Sequence, residues 1–122
     1  MSCQLVAGTV ILNTEDGNKK FLVKKESQTF DFVTTEMNGE ITSLATILQE
    51  LKLNALLDVN LIDLVELTNI TIDDKKMPLF VFEMSEKHES HAETIQDDFA
   101  WESPKVMRDV LARFNISGVP LF

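Results

Sequence analysis

Apolar and polar residues alternate over short stretches in the first third of the chain, which predicts strands. Residues 6–12 are rich in Val, Ile and Thr, residues 21–23 are apolar, and residues 29–34 alternate Phe with polar residues. Asp-Gly within residues 13–18 is a turn signal, so the first two stretches are expected to form a hairpin. The third is expected to be a short strand whose two phenylalanines form one buried face.

A helical period replaces this alternation after residue 41. Thr42 or Ser43 offers an N-cap. The next apolar residues share one face of the predicted helix: Leu44, Ile47, Leu48 and Leu51. This stripe must pack against a core.

The second half of the chain repeats the order of strands and helix. Residues 61–72 and 79–82 predict a hairpin across a polar turn, and the latter are expected to be buried on both faces. Residues 85–98 are polar and predict a surface loop, after which Phe99 and Trp101 predict a short last strand.

A second helix is predicted from Ser103 as N-cap and Pro104 at the first helical position. One face of this helix is apolar: Val106, Met107, Val110, Leu111 and Phe114. Gly118 and Pro120 are expected to end it. The order hairpin, strand, helix, hairpin, strand, helix predicts an α/β fold in which a mixed sheet carries a helix on each face.

Composition and charge indicate an acidic globular protein. The 122 residues carry a formal net charge of −9, and we expect residues 1–122 to form a single domain. Such a charge repels nucleic acid, so no nucleic-acid partner is expected. Cys3 is the only cysteine, which with no secretion signal favours the cytoplasm. The apolar run of residues 5–12 is too short to span a membrane, and no membrane partner is expected.

Four phrases, in this order, resemble the Nudix (MutT-like) superfamily. "VAGTVIL" (6–12) and "KFLVKK" (20–25) resemble its first two strands, "FDFVTTEMNGE" (30–40) the approach to the Nudix box, and "FAWESPKVMRDVL" (99–111) the closing strand and helix. The resemblance covers nearly the whole chain. It implies a Nudix-like α/β/α sandwich with a mixed β-sheet and a helix on each face.

The Nudix box itself departs from the family pattern, in which Gly and Glu are followed by Arg-Glu-apolar-x-Glu-Glu-x-Gly. Glu40 and Glu50 match the first two acids, although the spacing between them is one residue too long. Leu53 and Asn54 replace the paired acids, and Leu56 replaces the terminal Gly.

These replacements predict a degraded metal site. The family's acids share one helix face and hold Mg²⁺, which prefers oxygen ligands and in the family assists diphosphate hydrolysis. Leu53 has no lone pair, and Asn54 has only a neutral carbonyl. No cofactor is therefore expected.

A reduced magnesium site stays open as an alternative, since protein Mg²⁺ sites often use one or two carboxylates plus substrate phosphates. Glu40 and Glu50 would then be the metal ligands and Glu50 the catalytic residue. Glu36, Asp97 or Asp98 could assist.

Three functions are compatible with these residues. The preferred one is a non-catalytic ligand-binding or regulatory protein, whose partner is a nucleotide-like small molecule. The alternatives are an active hydrolase of a nucleoside diphosphate-linked substrate with a reduced or relocated Mg²⁺ site, and a homodimeric protein-interaction module. Homodimers are common in the family, and residues 53–64 are more apolar than a helix-to-strand connection requires.

Other candidate chemistry has simpler explanations. His88 and His91 lie among acids, but without a Cys or third His we expect a solvated loop rather than a zinc site. Cys3 has no organised His partner for nucleophilic chemistry. Trp101 is expected in the core rather than stacked on a ligand.

Overall fold

The computed structural model describes residues 4–26, 29–37, 41–72, 75–112 and 115–116. The strands are β1 Leu5–Asn13, β2 Lys19–Glu26, β3 Thr29–Asp31, β4 Val33–Glu36, β5 Ile62–Ile72, β6 Lys75–Met84, β7 Phe99–Glu102 and β8 Asn115–Ile116. The α-helices are α1 Ser43–Leu53 and α2 Pro104–Leu111, and short 3₁₀ helices cover Val59–Leu61 and Glu86–Thr94.

All of these strands belong to one mixed sheet with the order β3-β2-β1-β6-β5-β8, to which β4 adds beside β1 and β7 beside β2. The central pair β1 and β6 is parallel, and the other pairs are antiparallel. Both predicted hairpins, β1–β2 and β5–β6, are confirmed.

A helix covers each face of the sheet, which confirms the predicted α/β fold class. On one face Ile47 and Leu51 of α1 are buried against β1, β4 and β6. On the other face Met107 and Val110 of α2 are buried against the opposite side of the sheet. Strand β1 contributes side chains to the core on each face of the sheet. Val6 and its i+2 neighbours face α1, and the residues between them face α2.

The turn between β1 and β2 shows why its sequence is polar. Gly17 has a φ of 86°, a conformation that glycine adopts without steric cost. Hydrogen bonds donated by the Thr14 hydroxyl and the Asn18 amide hold the pKa of the exposed Asp16 carboxyl below its usual value.

The predicted third strand is divided into β3 and β4 at Phe32. β3 pairs with β2 and β4 pairs with β1, so the chain changes partner within the stretch that the alternation treats as continuous. Phe32 is 1% exposed and lies in the α2-side core, against which Phe30 also packs. The phenylalanines therefore form core, as expected.

The polar stretch before β7 is not an irregular loop. It contains the 3₁₀ helix Glu86–Thr94, whose N-cap Ser85 accepts a hydrogen bond from the Lys87 amide at 3.3 Å. Ala92 of this helix is buried, and its carbonyl accepts a 2.7 Å hydrogen bond from the Trp101 indole. Ala92 and the hydrogen bond to Trp101 thus tie this 3₁₀ helix to the core, and Trp101 packs against the α1-side core as expected.

The second helix is shorter than its apolar pattern predicts. Ser103 is its N-cap and Pro104 begins it, as expected, but it ends at Leu111 and strand β8 comes next. Gly118 and Pro120 therefore do not end the helix, and these two residues, like Phe114, lie outside the described ranges.

The helices of the described ranges are short. None of the helices there has the length and apolar character needed to cross a bilayer. The apolar run at the start of the chain forms strand β1.

Candidate functional site

Helix α1 begins at a well-formed cap and ends in a tight turn. The Thr42 hydroxyl accepts a 3.1 Å hydrogen bond from the Ala45 amide, which confirms the predicted cap. At the other end, the Glu50 carbonyl accepts the amides of Asn54 at 3.0 Å and Ala55 at 3.2 Å, and Leu57 closes the turn. These hydrogen bonds fix the turn that follows α1.

An open cleft of about 370 Å³ lies at this end of α1. Its walls come from α1 and the residues after it, from β2, and from the segment that precedes β7. Eight of the described residues line it: Lys24, Glu50, Leu53, Asn54, Leu56, Gln96, Asp98 and Phe99. The cleft brings together parts of the chain that are more than 70 residues apart in sequence.

Backbone hydrogen bonds fix the walls of the cleft to one another. The Gln96 amide donates to the Ala55 carbonyl at 3.0 Å, which ties the segment before β7 to the end of α1. The Lys25 amide donates to the Asp98 carbonyl at 2.8 Å, which ties the same segment to β2. The arrangement is therefore set by the backbone.

The charges in the cleft are mixed. Glu50 and Asp98 contribute carboxylates, and Lys24 is the only cationic side chain among the described lining residues. The Asn54 amide donates a 2.7 Å hydrogen bond to one Glu50 carboxylate oxygen, so Glu50 is already oriented by the residue one helical turn later.

Some of the predicted site residues lie in the cleft and others do not. Glu50 lies in the cleft together with Leu53 and Asn54, the two residues that the sequence resemblance places at acid positions of the Nudix box. Of the assisting acids that the sequence suggested, Asp98 lines the cleft and Asp97 does not. Glu40 lies outside the described residues.

The sequence did not identify three of the lining residues as part of a site: Lys24, Gln96 and Phe99. A signal existed for Lys24, which stands two residues after Leu22 and therefore points to the same, α1-covered face of the sheet. No local pattern marks Gln96, because its place depends on the pairing of β7 with β2.

The side-chain oxygen atoms of the described lining residues do not fit a magnesium site of the Nudix kind. Glu50 and Asp98 are the carboxylates in the described part of the cleft, and Leu53 offers no ligand atom. Within the described ranges, no group of three or more His, Cys, Asp or Glu side chains is placed to hold a metal ion. The rings of His88 and His91 lie 6.1 Å apart on the 3₁₀ helix.

Leu56 keeps a backbone conformation that suits glycine. Its φ is 62°, and it is the one non-glycine residue with positive φ among those described. The resemblance puts the terminal Gly of the Nudix box at this position. Leu56 thus adopts, in the turn after the helix, a left-handed conformation that glycine would adopt without strain.

We expect glycine and alanine substitutions to rank in opposite order of stability at Leu56 and at Leu53. Both side chains are largely exposed, at 54% and 64%. At Leu56 the glycine variant should be more stable than the alanine variant by roughly 1 kcal/mol, because the left-handed conformation penalises a Cβ. At Leu53, which is helical, the order should reverse by about the same amount. Urea unfolding of the four variants measures both differences, and the same order at both positions would contradict the assigned strain.

Comparison with solved structures shows that this fold is the Nudix fold. An Ap4A hydrolase from C. elegans in a binary complex superposes with a TM-score of 0.71 at 9% identity, over 89% of this chain and 86% of that one. The NUDIX domain of Shewanella oneidensis NrtR complexed with ADP ribose gives 0.56 at 12% identity, over 92% and 79%. The C-terminal domain of mouse MUTYH, in complex with human PCNA, gives 0.57 at 14% identity, over 93% and 87%. No protein-family model and no curated protein matches the sequence.

Proposed function

We propose that this Nudix-fold protein binds a nucleotide-like diphosphate compound in the cleft at the end of α1 without hydrolysing it. One observation carries the proposal: Leu53 and Asn54 line the same cleft as Glu50. The positions that would carry metal-binding acids thus face the place where a diphosphate would lie, and they offer an aliphatic side chain and a neutral amide. Binding needs only the cleft, whereas metal-assisted hydrolysis needs the acids.

The other lining residues suit such a ligand. Lys24 supplies positive charge for a phosphate group. Leu53 and Leu56 offer exposed apolar surface at the rim, suited to a base or ribose. Glu50 and Asp98 disfavour phosphate beside them, so the phosphates are expected next to Lys24.

Binding and turnover are best measured on the same compounds. Ap4A and ADP-ribose are chosen because one similar structure is an Ap4A hydrolase and another is a NUDIX domain complexed with ADP ribose. ATP and NADH widen the panel. We expect at least one compound to raise the melting temperature, and no Mg²⁺- or Mn²⁺-dependent cleavage of any of them. Steady metal-dependent cleavage that Glu50→Gln abolishes would overturn the proposal.

Lys24→Gln should weaken binding of the compound so identified by roughly tenfold, the effect of losing one charge-assisted hydrogen bond. Lys25→Gln is the matched control, because Lys25 is the next residue of β2, is exposed and does not line the cleft. Isothermal titration of both variants gives the two dissociation constants. Equal losses in both would show that long-range charge, and not the cleft, holds the ligand.

The second candidate function is hydrolysis with a reduced metal site. It is favoured by the position of Asp98, which shares the cleft with Glu50 although the two residues are far apart in sequence. In that case both Glu50→Gln and Asp98→Asn should remove turnover, whereas the exposed Asp97→Asn should retain it.

A further inference from the structure

One face of the 3₁₀ helix Glu86–Thr94 holds it against the rest of the protein. In a 3₁₀ helix three residues complete a turn, so side chains three apart lie one above the other. Ala92 is buried, and three residues earlier a Glu89 carboxylate oxygen accepts a 2.8 Å hydrogen bond from the Glu15 amide. This face therefore fixes the rotation of the helix about its own axis.

A second face of the same helix carries both histidines. His88 is half-buried and His91 is exposed. Their ring centres lie 6.1 Å apart, with the ring planes inclined by 57°. Three residues of a 3₁₀ helix rise about 6 Å, so the two rings stand one above the other on one side. The remaining face is exposed and consists of Lys87, Ser90 and Glu93.

We propose that His88 and His91 together chelate one divalent transition-metal ion, such as Zn²⁺. Imidazole nitrogen is a ligand for Zn²⁺, Ni²⁺ and Cu²⁺, whereas Mg²⁺ prefers oxygen. Each ring gives the ion one nitrogen and keeps its other nitrogen for a protein partner. A solvated loop would give the two rings no reason to meet, and the 3₁₀ helix supplies one.

The separation of the rings is close to the one that a shared ion needs. Two imidazoles that bind one tetrahedral ion at about 2.1 Å have ring centres roughly 5 Å apart. The observed distance of 6.1 Å is larger than this. His91 is exposed, so its side chain can rotate toward His88 without disturbing the core. Water completes the coordination, as it does in zinc sites that keep an open position.

The acids of the helix favour a cation near the two rings. Glu86, Glu89 and Glu93 outnumber Lys87 within the helix, and such an excess of one charge raises the local concentration of the opposite ion. They do not complete a larger donor set, since no three His, Cys, Asp or Glu side chains of the described ranges are grouped to hold a metal. Selectivity for an ion that binds imidazole therefore comes from the histidine pair.

Nuclear magnetic resonance of the imidazole rings tests the site, because these two histidines are the only ones in the chain. In a Cys3→Ser background, which removes the competing thiol, Zn²⁺ should shift the signals of both rings along one saturation curve. Mg²⁺ alone should shift neither. His88→Gln and His91→Gln should each weaken Zn²⁺ binding by roughly tenfold, because either loss removes the chelate. Titration calorimetry measures that change.

The matched control keeps two histidines and changes only their spacing. His91→Gln with Ser90→His places them two residues apart, on different faces of the 3₁₀ helix. Ser90 and His91 are exposed, so this variant should fold like the unchanged protein and bind Zn²⁺ as weakly as His91→Gln alone. Equal affinity of the moved pair and the original pair would overturn the proposal. Saturation of one ring without the other, an equal response to Mg²⁺, or a Zn²⁺-linked dimer seen by light scattering would also refute it.

Discussion

Replacing Leu53 and Asn54 together with glutamate should raise the affinity of the protein for Mn²⁺ by roughly tenfold or more, since carboxylates are far better ligands for such ions than a leucine or an amide. Both residues line the cleft beside Glu50, and both are exposed, so the substitutions need not disturb the core. Three acids would then stand on one helical face at positions 50, 53 and 54. Mn²⁺ titration monitored by electron paramagnetic resonance measures the affinity directly.

A charge-matched variant separates a metal site from general attraction. Gln49→Glu with Lys52→Gln changes the charge of α1 by the same two units, at exposed positions that do not line the cleft. This control should bind Mn²⁺ little better than the unchanged protein. Equal gains in both variants would mean that diffuse charge attracts the ion. Tight binding by the unchanged protein would contradict the view that the site is degraded.

The hydrophobic pattern predicted most of the fold because each helix buries one distinct face and the central strands are continuous apolar runs. The helical spacing of Ile47 and Leu51, and the caps Thr42 and Ser103, are local signals, and they located both helices. The partner change at Phe32 and the short strand β8 could not be foreseen. They depend on which distant strand has a free edge, and no local periodicity records that.

The candidate site likewise combines residues that local spacing groups together with residues that only long-range strand pairing brings in. Glu50, Leu53 and Asn54 line the same cleft because residues three and four apart share a helix face, which the sequence spacing alone indicates. Lys24 and Gln96 enter the cleft through the β2–β7 pairing, which joins segments far apart in sequence. Local sequence reasoning therefore supplied one wall of the cleft, and long-range topology supplied the others.

Gly8→Ala is expected to lower the free energy of unfolding by about 1–3 kcal/mol, as overpacking of a filled core does. A Cβ at Gly8 would lie 2.7 Å from Cγ1 of Ile47, which is fully buried under α1. Glycine at this point of β1 thus allows α1 to approach the sheet closely. Ile47→Ala alone should cost about 2–5 kcal/mol, because it leaves a cavity in the same place.

The double variant distinguishes this contact from two unrelated losses. Gly8→Ala with Ile47→Ala should cost less than the sum of the single changes, by roughly 0.5–3 kcal/mol, because the new methyl group fills space that Ile47 has vacated. Urea unfolding of the four proteins gives the coupling. Ile70→Ala serves as the control partner, since Ile70 is equally buried but on the α2 side of the sheet, and its cost should simply add to that of Gly8→Ala.

Additive costs for Gly8 and Ile47 would mean that α1 shifts freely over β1, which bears directly on the cleft. Glu50 lies one helical turn after Ile47, and Lys24 reaches the cleft from β2, which is paired with β1. The distance between the helix wall and the strand wall is therefore set where Gly8 meets Ile47. For this reason the folded fraction of the Gly8→Ala variant should bind the cleft ligand more weakly than the folded unchanged protein does. The folded fraction of Ile70→Ala should bind it with unchanged affinity.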